Sequence, residues 1–375
     1  MARKILILGA SYGSLLGTKL LMAGQDVTLV CRQATADLIN AEGTEVRIKL
    51  RDETTHRAFR SQALPGRLDA LAPAEVDPSQ YDLVALAMSE PQYGSADIAA
   101  LLARIAAAKL PCLSIMNMPP PPYLQRIAGL RADPLLPSFN HPDVWADFRP
   151  GLVSLCSPDP QAFRLPDCGA NVLHVGLPTN FKAAPFEDPS HTALLRELEA
   201  AVDALRVDGK EVPVKLRVFE SLFVPFAKWS MLLTGNYRCV RSDGARPIQE
   251  AVHGDLDLSR HIYDMVGKVV VGLGADEADQ VPFDKYAKAA EGLLKPSSAA
   301  RAIEAGAQEI ERVDMLVKLI ADQMAIGIPA LDRVVAIVDG RLAENRDAAA
   351  GLERTAGSAP QWSTQTDAKR AASLH

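Results

Sequence analysis

Lys228 has more chemistry to offer than any other residue in the chain. It lies in Leu222-Phe-Val-Pro-Phe-Ala-Lys-Trp-Ser-Met-Leu-Leu233, a helical stretch that is apolar on nearly every side. Burying an ammonium is costly unless it has a partner or a task, and the task would be to hand over a proton or meet a developing negative charge. Snorkelling to solvent is the structural alternative. The helix runs on into Thr234-Gly-Asn236, which places an amide about two turns beyond the lysine on a nearby face. A second titratable candidate is Glu309. Lys295-Pro-Ser-Ser-Ala-Ala300 reads as a helix start capped by Ser297 or Ser298, and Glu309 falls roughly three turns along it. Most glutamates on such a helix are solvated, and composition does not favour Glu309 over Glu304 or Glu311.

These groups need a frame, and the first thirty or so residues supply it. Lys4-Ile-Leu-Ile-Leu8 is a continuous apolar run that reads as a strand buried on both faces. The turn Gly9-Ala10-Ser11-Tyr12-Gly13 follows, then Leu15, Leu16, Leu20 and Leu21 at helical spacing, a stop at Gly24, and a second strand over Val27–Val30. Strand, glycine turn, helix and strand make the first βαβ unit of a dinucleotide-binding fold. A pyrophosphate would sit on the backbone N–H groups at the helix N-terminus, and a Cβ in the turn would hold it off. The usual G-x-G-x-x-G pattern is incomplete, with Ser11 in place of the second glycine and a loop one residue short. The plain alternative is a βα turn that holds no nucleotide. At the end of the second strand stands Cys31-Arg32 instead of an acidic residue, and a guanidinium there suits a 2′-phosphate, so NADP(H) is favoured over NAD(H).

The 375 residues suffice for two cored domains. A net charge of -6 with no basic run argues against a nucleic-acid binder. The five scattered cysteines lack a C-x-x-C pair, which fits reduced thiols and a cytoplasmic location, with no signal peptide and no membrane span. The seven histidines show no H-x-x-x-H or H-E-x-x-H pattern, so no metal is expected.

Short strands are expected at 46–50 and 57–59, with a turn at Asp52-Glu-Thr54. Further strands are expected at 81–87, 111–116, 151–157 and 171–175, with helices at 98–105 and 194–205. Asn117 falls at a strand tip. From Pro119 to Pro150 the text is rich in proline and aromatics and reads as an insertion over the cleft mouth, either a lid or surface decoration. Beyond Lys215 no clear strand remains, and 219–233, 251–273, 283–294, 299–324 and 331–342 have helical periodicity. The expected architecture is an α/β Rossmann-type dinucleotide-binding domain over 1–215, carrying the insertion at about 118–150, followed by an all-α substrate and catalytic domain over 216–344. Residues 345–375 read as a disordered tail.

Taken together, Gly9-Ala-Ser-Tyr-Gly13, Arg32, Asn117, Ala227-Lys228 with Asn236 downstream, Ser297, Gln308-Glu309-Ile310 and Ile326-Gly-Ile-Pro329 resemble the ketopantoate reductase family over roughly residues 4–338. The resemblance implies a Rossmann domain and a helical C-terminal domain of the 6-phosphogluconate dehydrogenase type. It also implies NADPH-dependent reduction of a 2-oxo acid such as 2-dehydropantoate, the step that serves pantothenate biosynthesis, by a monomer or homodimer. NADPH would lie across Gly9–Gly13 with its 2′-phosphate near Arg32. Lys228 would protonate the keto oxygen as hydride arrives, and Glu309 would orient the lysine or receive the product hydroxyl. Asn117 and Asn236 would hold substrate or nicotinamide, and Ser297 the carboxylate end.

The departures fall on the substrate side. Met118 replaces a glycine, Ser89 a lysine, and Leu232 an asparagine, which favours the reaction type over ketopantoate itself. Two rival readings remain. An opine-type dehydrogenase would need a His–Asp pair in the cleft, for which His253 with Asp255 or His261 with Asp264 are the candidates. A redox sensor would hold NADPH without turnover.

Overall fold

The computed structural model describes residues 2–357. Alternation along β1 (Lys4–Leu8) decides what the central sheet separates. Ile5 and Ile7 join one apolar cluster, Leu6 and Leu8 another, and all four are fully buried. A strand covered on both faces belongs in the middle of a sheet. α1 (Gly13–Met22) and β2 (Asp26–Val30) complete the expected unit, and Gly24 at φ 75° ends the helix. α2 (Gln33–Glu42) leads to β3 (Glu45–Ile48), β4 (Arg57–Arg60), β5 (Leu68–Leu71) and β6 (Leu83–Leu86). α3 (Ala96–Ala108), β7 (Cys112–Ile115) and α4 (Pro121–Leu124) come next. They are followed by β8 (Val153–Ser157), β9 (Gln161–Phe163), β10 (Val172–Leu177), β11 (Phe181–Ala183) and α5 (Pro189–Asp203). A small hairpin, β12 (Arg206–Val207) and β13 (Lys210–Glu211), precedes β14 (Leu216–Val218).

The main sheet has eight strands in the order β14-β11-β8-β7-β6-β1-β2-β5. β1 pairs in parallel with both β2 and β6. The strand order therefore reverses at β1, and the crevice at the carboxyl ends of β1 and β6 is where such sheets take their ligands. β3 and β4 form the expected antiparallel pair, but they join β10 and β9 in a separate four-stranded sheet.

The second half is helical, as expected, with α6 (Ala227–Met231), α7 (Ile248–His253), α8 (Leu256–Gly272), α9 (Phe283–Ala290), α10 (Ser298–Glu304), α11 (Val313–Gln323) and α12 (Pro329–Gly357). Several details differ from the sequence reading, and the stretch 219–233 turns helical only from Val224. Strands do continue past Lys215, in β14 and in the hairpin β15 (Val240–Arg241) and β16 (Gly244–Ala245), because two- or three-residue strands leave no readable period. The stretch 251–273 breaks where Asp255 caps α8 by accepting from the Leu258 N–H at 2.9 Å. The stretch 299–324 breaks at Gly306, whose φ is 87°, so Glu309 lies in a loop and not on a helix. Within the stretch read as a tail, residues 345–357 continue α12, and the remainder lies outside the described residues.

The proline-rich segment after Asn117 is neither loose nor superficial. Met118, Tyr123, Leu124, Leu135 and Trp145 are buried in the same cluster as Leu6 and Leu86 of the sheet and Trp229 and Val266 of the helices. The Tyr123 hydroxyl donates to the Leu222 carbonyl at 2.6 Å. This segment is the apolar layer through which the two halves share one core.

Among the described residues no helix is long and apolar enough to cross a membrane. None of the five cysteines is in a disulfide.

One buried charge belongs to the scaffold. Lys19 of α1 is 1% exposed, and its ammonium donates to the carbonyls of Pro213 at 2.9 Å and Val212 at 3.2 Å. Burial, with Lys215 nearby, pulls its pKa down to about 7. Between that value and the ordinary lysine range the unfolded chain binds the extra proton, so stability rises as pH rises through this window. Urea unfolding should become harder by roughly a few kcal/mol between about pH 7 and 10, and K19M should flatten that slope.

Candidate functional site at the domain junction

At the carboxyl end of β1, Gly9 has φ 107°, and a Cβ there would come within 2.6 Å of the Ala87 carbonyl oxygen. A Cβ on Gly13 would meet the Ile7 side chain at 2.5 Å. Both glycines are thus demanded first by packing inside the protein, since the turn is pressed against β1 and the end of β6. That packing leaves a feature useful for binding. Among the described residues nothing accepts from the backbone N–H groups of Ala10, Ser11 and Tyr12, which lead into the N-terminus of α1. Free amides at a helix start make a place for an anion. Tyr12 turns its ring edge-on to Phe181 and its hydroxyl donates to the Pro160 carbonyl.

At the tip of β2, Arg32 is exposed and makes no side-chain hydrogen bond or ion pair within the described residues. Burial pushes the neighbouring Cys31 thiol up to about 11, opposed by the charge of Arg164. Two guanidinium groups therefore stand near the end of this strand, one expected and one not.

Asn117 follows β7 and is taken up by the helical half. Its backbone N–H and side-chain amide donate to the Glu311 carboxylate at 3.1 and 3.0 Å, and the Met118 N–H donates to the same carboxylate at 3.0 Å. The Trp229 indole donates to the Asn117 carbonyl at 3.1 Å. The Asn117 Oδ1 atom is buried and has no donor among the described residues.

Pro225 opens a tight turn over Val224–Phe226, and α6 follows. Phe226 and Trp229 stack with ring centroids 4.1 Å apart, and the indole anchored on Asn117 fixes the helix about its axis. Lys228 then faces the loop after β8. Its ammonium donates to the Pro158 carbonyl at 2.9 Å and lies 3.6 Å from the Asp159 carboxylate. Asp159 also lies 3.4 Å from Lys182 and accepts from the Ser157 hydroxyl. Burial pulls the Lys228 pKa down, while Asp159 and then Glu311 hold it up. Glu311 is itself pushed up by burial, against the donors from Asn117 and Met118 and the charge of Lys228.

Beyond α6 the chain widens into a π-type turn over Leu232–Asn236. The Asn236 side chain makes no hydrogen bond to the described residues, while its carbonyl accepts from the Ser297 hydroxyl at 2.7 Å. Ser297 is buried and also caps α10 through the Ala300 N–H at 3.1 Å. Its hydroxyl is fully engaged in the protein, which places it behind Asn236 as support.

Glu309 is not brought to Lys228. It is exposed and pairs with His141 at 3.4 Å, beside Gln92 on an open surface. The loop after Gly306 presents Glu311 inward instead, two residues further on, and its charge is the one that reaches Lys228. Asp159, Lys182 and Arg164 were also not singled out by the sequence. Only the charge of Asp159, in a turn bounded by Pro158 and Pro160 after a buried strand, could have drawn notice. Neither His–Asp pair forms in the crevice. His253 bonds the Ala287 carbonyl at 3.0 Å, Asp255 caps α8, and His261 and Asp264 are exposed. Among the described residues no three His, Cys, Asp or Glu side chains gather as a metal site would require.

Removing the Glu311 carboxylate should leave two backbone donors and the Asn117 amide without their acceptor. We expect E311A to lose about 2–4 kcal/mol in urea unfolding, and E309A, an exposed change, less than about 0.5 kcal/mol.

No family model matches the sequence, and no curated protein matches it. Solved structures do. A protein of Ralstonia solanacearum MolK2 described as a ketopantoate reductase is 16% identical with a TM-score of 0.65, covering 92% of this chain and 99% of its own. The 2-dehydropantoate 2-reductase of Methylococcus capsulatus is 16% identical with a TM-score of 0.60, covering 96% and 99%. D-mandelate dehydrogenase, in a ternary structure with NADH and anilino(oxo)acetate, is 15% identical with a TM-score of 0.61, covering 92% and 99%. The chain has the fold that ketopantoate reductases and D-mandelate dehydrogenase share, a Rossmann-type α/β domain followed by a helical domain.

Proposed function

We infer that the protein is a nicotinamide-dinucleotide-dependent reductase of small 2-oxo acids, with Lys228 as the proton donor. The observation that carries this reading is the position of the Lys228 ammonium. It is held at the carboxyl edge of the sheet by the Pro158 carbonyl, close to both Asp159 and Glu311. The fold it shares with enzymes acting on such substrates supports the same reading.

The residues at the crevice fit a dinucleotide. The free amides of Ala10, Ser11 and Tyr12 would take the pyrophosphate, and the unmet Asn117 Oδ1 would accept from a carboxamide. Arg32, assisted by Arg164, would take a 2′-phosphate, so NADPH is the preferred form. Bound there, the reduced dinucleotide supplies the hydride that adds to the keto carbon. Lys228 donates a hydrogen bond and then its proton to the keto oxygen, so that C=O becomes CH–OH and no free alkoxide forms. The lysine side chain is 25% exposed, which lets water return the proton. Glu311 and Asp159 keep the lysine charged; Glu311 takes over the part first given to Glu309. Asn236 and Lys182 are the groups left to hold the substrate's carboxylate and side chain, with Ser297 fixing Asn236 from behind.

The test is oxidation of NADPH and NADH with a panel of small 2-oxo acids. K228M should lower kcat/KM by roughly 10²–10⁴ while binding of the dinucleotide is kept. Binding without oxidation of either dinucleotide by any acid would instead favour a sensor. R32Q should lower the ratio of kcat/KM for NADPH to that for NADH by about tenfold.

Asp159 supplies a separate test. The reaction needs the ammonium, so the rate falls as pH rises past the Lys228 pKa. D159N takes away the largest influence holding that pKa up, and the alkaline limb of the pH–rate profile should move to lower pH.

A further inference from the structure

A second concentration of unneutralised charge lies in the helical half, behind the turn that carries Asn236. A cavity of about 340 Å³ opens between the β15–β16 hairpin, α8 and α12, and Arg238, Arg241, Arg246 and Arg333 line it over an apolar floor that includes Ile262 and Val334. Among the described residues only Arg241 has an acidic partner within 4.0 Å, Asp243 at 3.0 Å. Arg238 is 8% exposed, yet its two hydrogen bonds both leave from Nη1, to the Ser259 hydroxyl at 2.7 Å and the Thr234 carbonyl at 3.2 Å. Its Nε and Nη2 donors have no partner among the described residues. Among the described residues Arg246 spends only its Nε, on the Arg238 carbonyl at 2.9 Å, and Arg333 makes no hydrogen bond or ion pair. Asp255 is the further acid whose charge bears on Arg238, and Arg246 opposes it.

Three guanidinium groups facing one space without a paired carboxylate repel one another, and Arg238 keeps two donors that the described residues do not use. The missing component is an anion. Several divergent N–H donors suit the three oxygens of a phosphate better than the two of a carboxylate, and the apolar floor suits an organic body. The volume lies in the range of small-molecule sites. We propose that this cavity is a binding site for a small organic phosphate, held through Arg238, Arg246 and Arg333. The site is separate from the crevice at Gly9, because none of its lining residues is among those assigned to that crevice.

Phenyl phosphate is a suitable probe, titrated calorimetrically into the full chain at low salt beside neutral phenol. Saturable binding of phenyl phosphate is expected, with none for phenol. R246Q/R333Q should weaken it by tenfold or more, whereas R32Q, which removes the exposed guanidinium of the dinucleotide crevice, should leave it unchanged. Should the double variant misfold, R333Q alone decides, since Arg333 is exposed and bonds to none of the described residues. No saturable binding, equal affinity in the arginine variants, or loss in R32Q instead would each overturn the assignment.

Discussion

A single carboxylate joins the two halves of the molecule at the place where chemistry would occur. Glu311 accepts from the Asn117 N–H, the Asn117 amide and the Met118 N–H, all at the carboxyl end of β7. Three donors aimed at one anion would ordinarily favour ionisation, but burial outweighs them and lifts the Glu311 pKa. The junction is therefore electrically tense, and Lys228 relieves it. A lysine and a glutamate that each resist ionisation when buried favour each other's charged form, and Asp159 adds to the support of the lysine. A second buried carboxylate, Glu90 at the start of the turn after β6, is likewise lifted by burial, and Asn140 ties it to the Ile310 carbonyl just before Glu311.

Lys228 gains its orientation from apolar neighbours. Trp229 is fully buried, stacked on Phe226 and bonded to Asn117, so α6 cannot rotate. The residue before it in the chain is then turned toward the loop after β8, whose Pro158 carbonyl and Asp159 carboxylate receive it. That same loop touches the glycine turn through Tyr12 and Pro160. One short segment thus contacts both the glycine turn and the lysine, and ties the two together.

How much of this could be read from the chain depended on period. β1, the glycine turn, α1 and β2 were legible because both faces of β1 are buried and the helix repeats leucines at 15, 16, 20 and 21. Lys228 was legible because a charge among apolar residues stands out. Glu309 against Glu311 was not, since the reading assumed an unbroken helix and Gly306 ends it at a positive φ. The segment after Asn117 misled for a related reason. Four consecutive prolines read as surface, yet here Pro119 and Pro120 lead into a buried four-residue helix that begins with Pro121 and Pro122, and the segment's aromatics fill the shared core. Asp159 matters only through contacts with residues far along the chain, which no local pattern records.

The π-type turn between Lys228 and Asn236 draws these strands of argument together. A regular helix would stack Asn236 two turns above the lysine, whereas the wider turn alters where the amide points and leaves the Thr234 hydroxyl buried without a partner. Such a turn persists only if its surroundings over-determine it. Here Ser297 grips the Asn236 carbonyl from α10, and Arg238 grips the Thr234 carbonyl from the arginine-lined cavity. The Tyr286 hydroxyl also holds the Met231 carbonyl at 3.0 Å, just before the turn. The backbone of the turn is thereby fixed by three separate elements, while the Asn236 side-chain amide has no hydrogen-bond partner among the described residues.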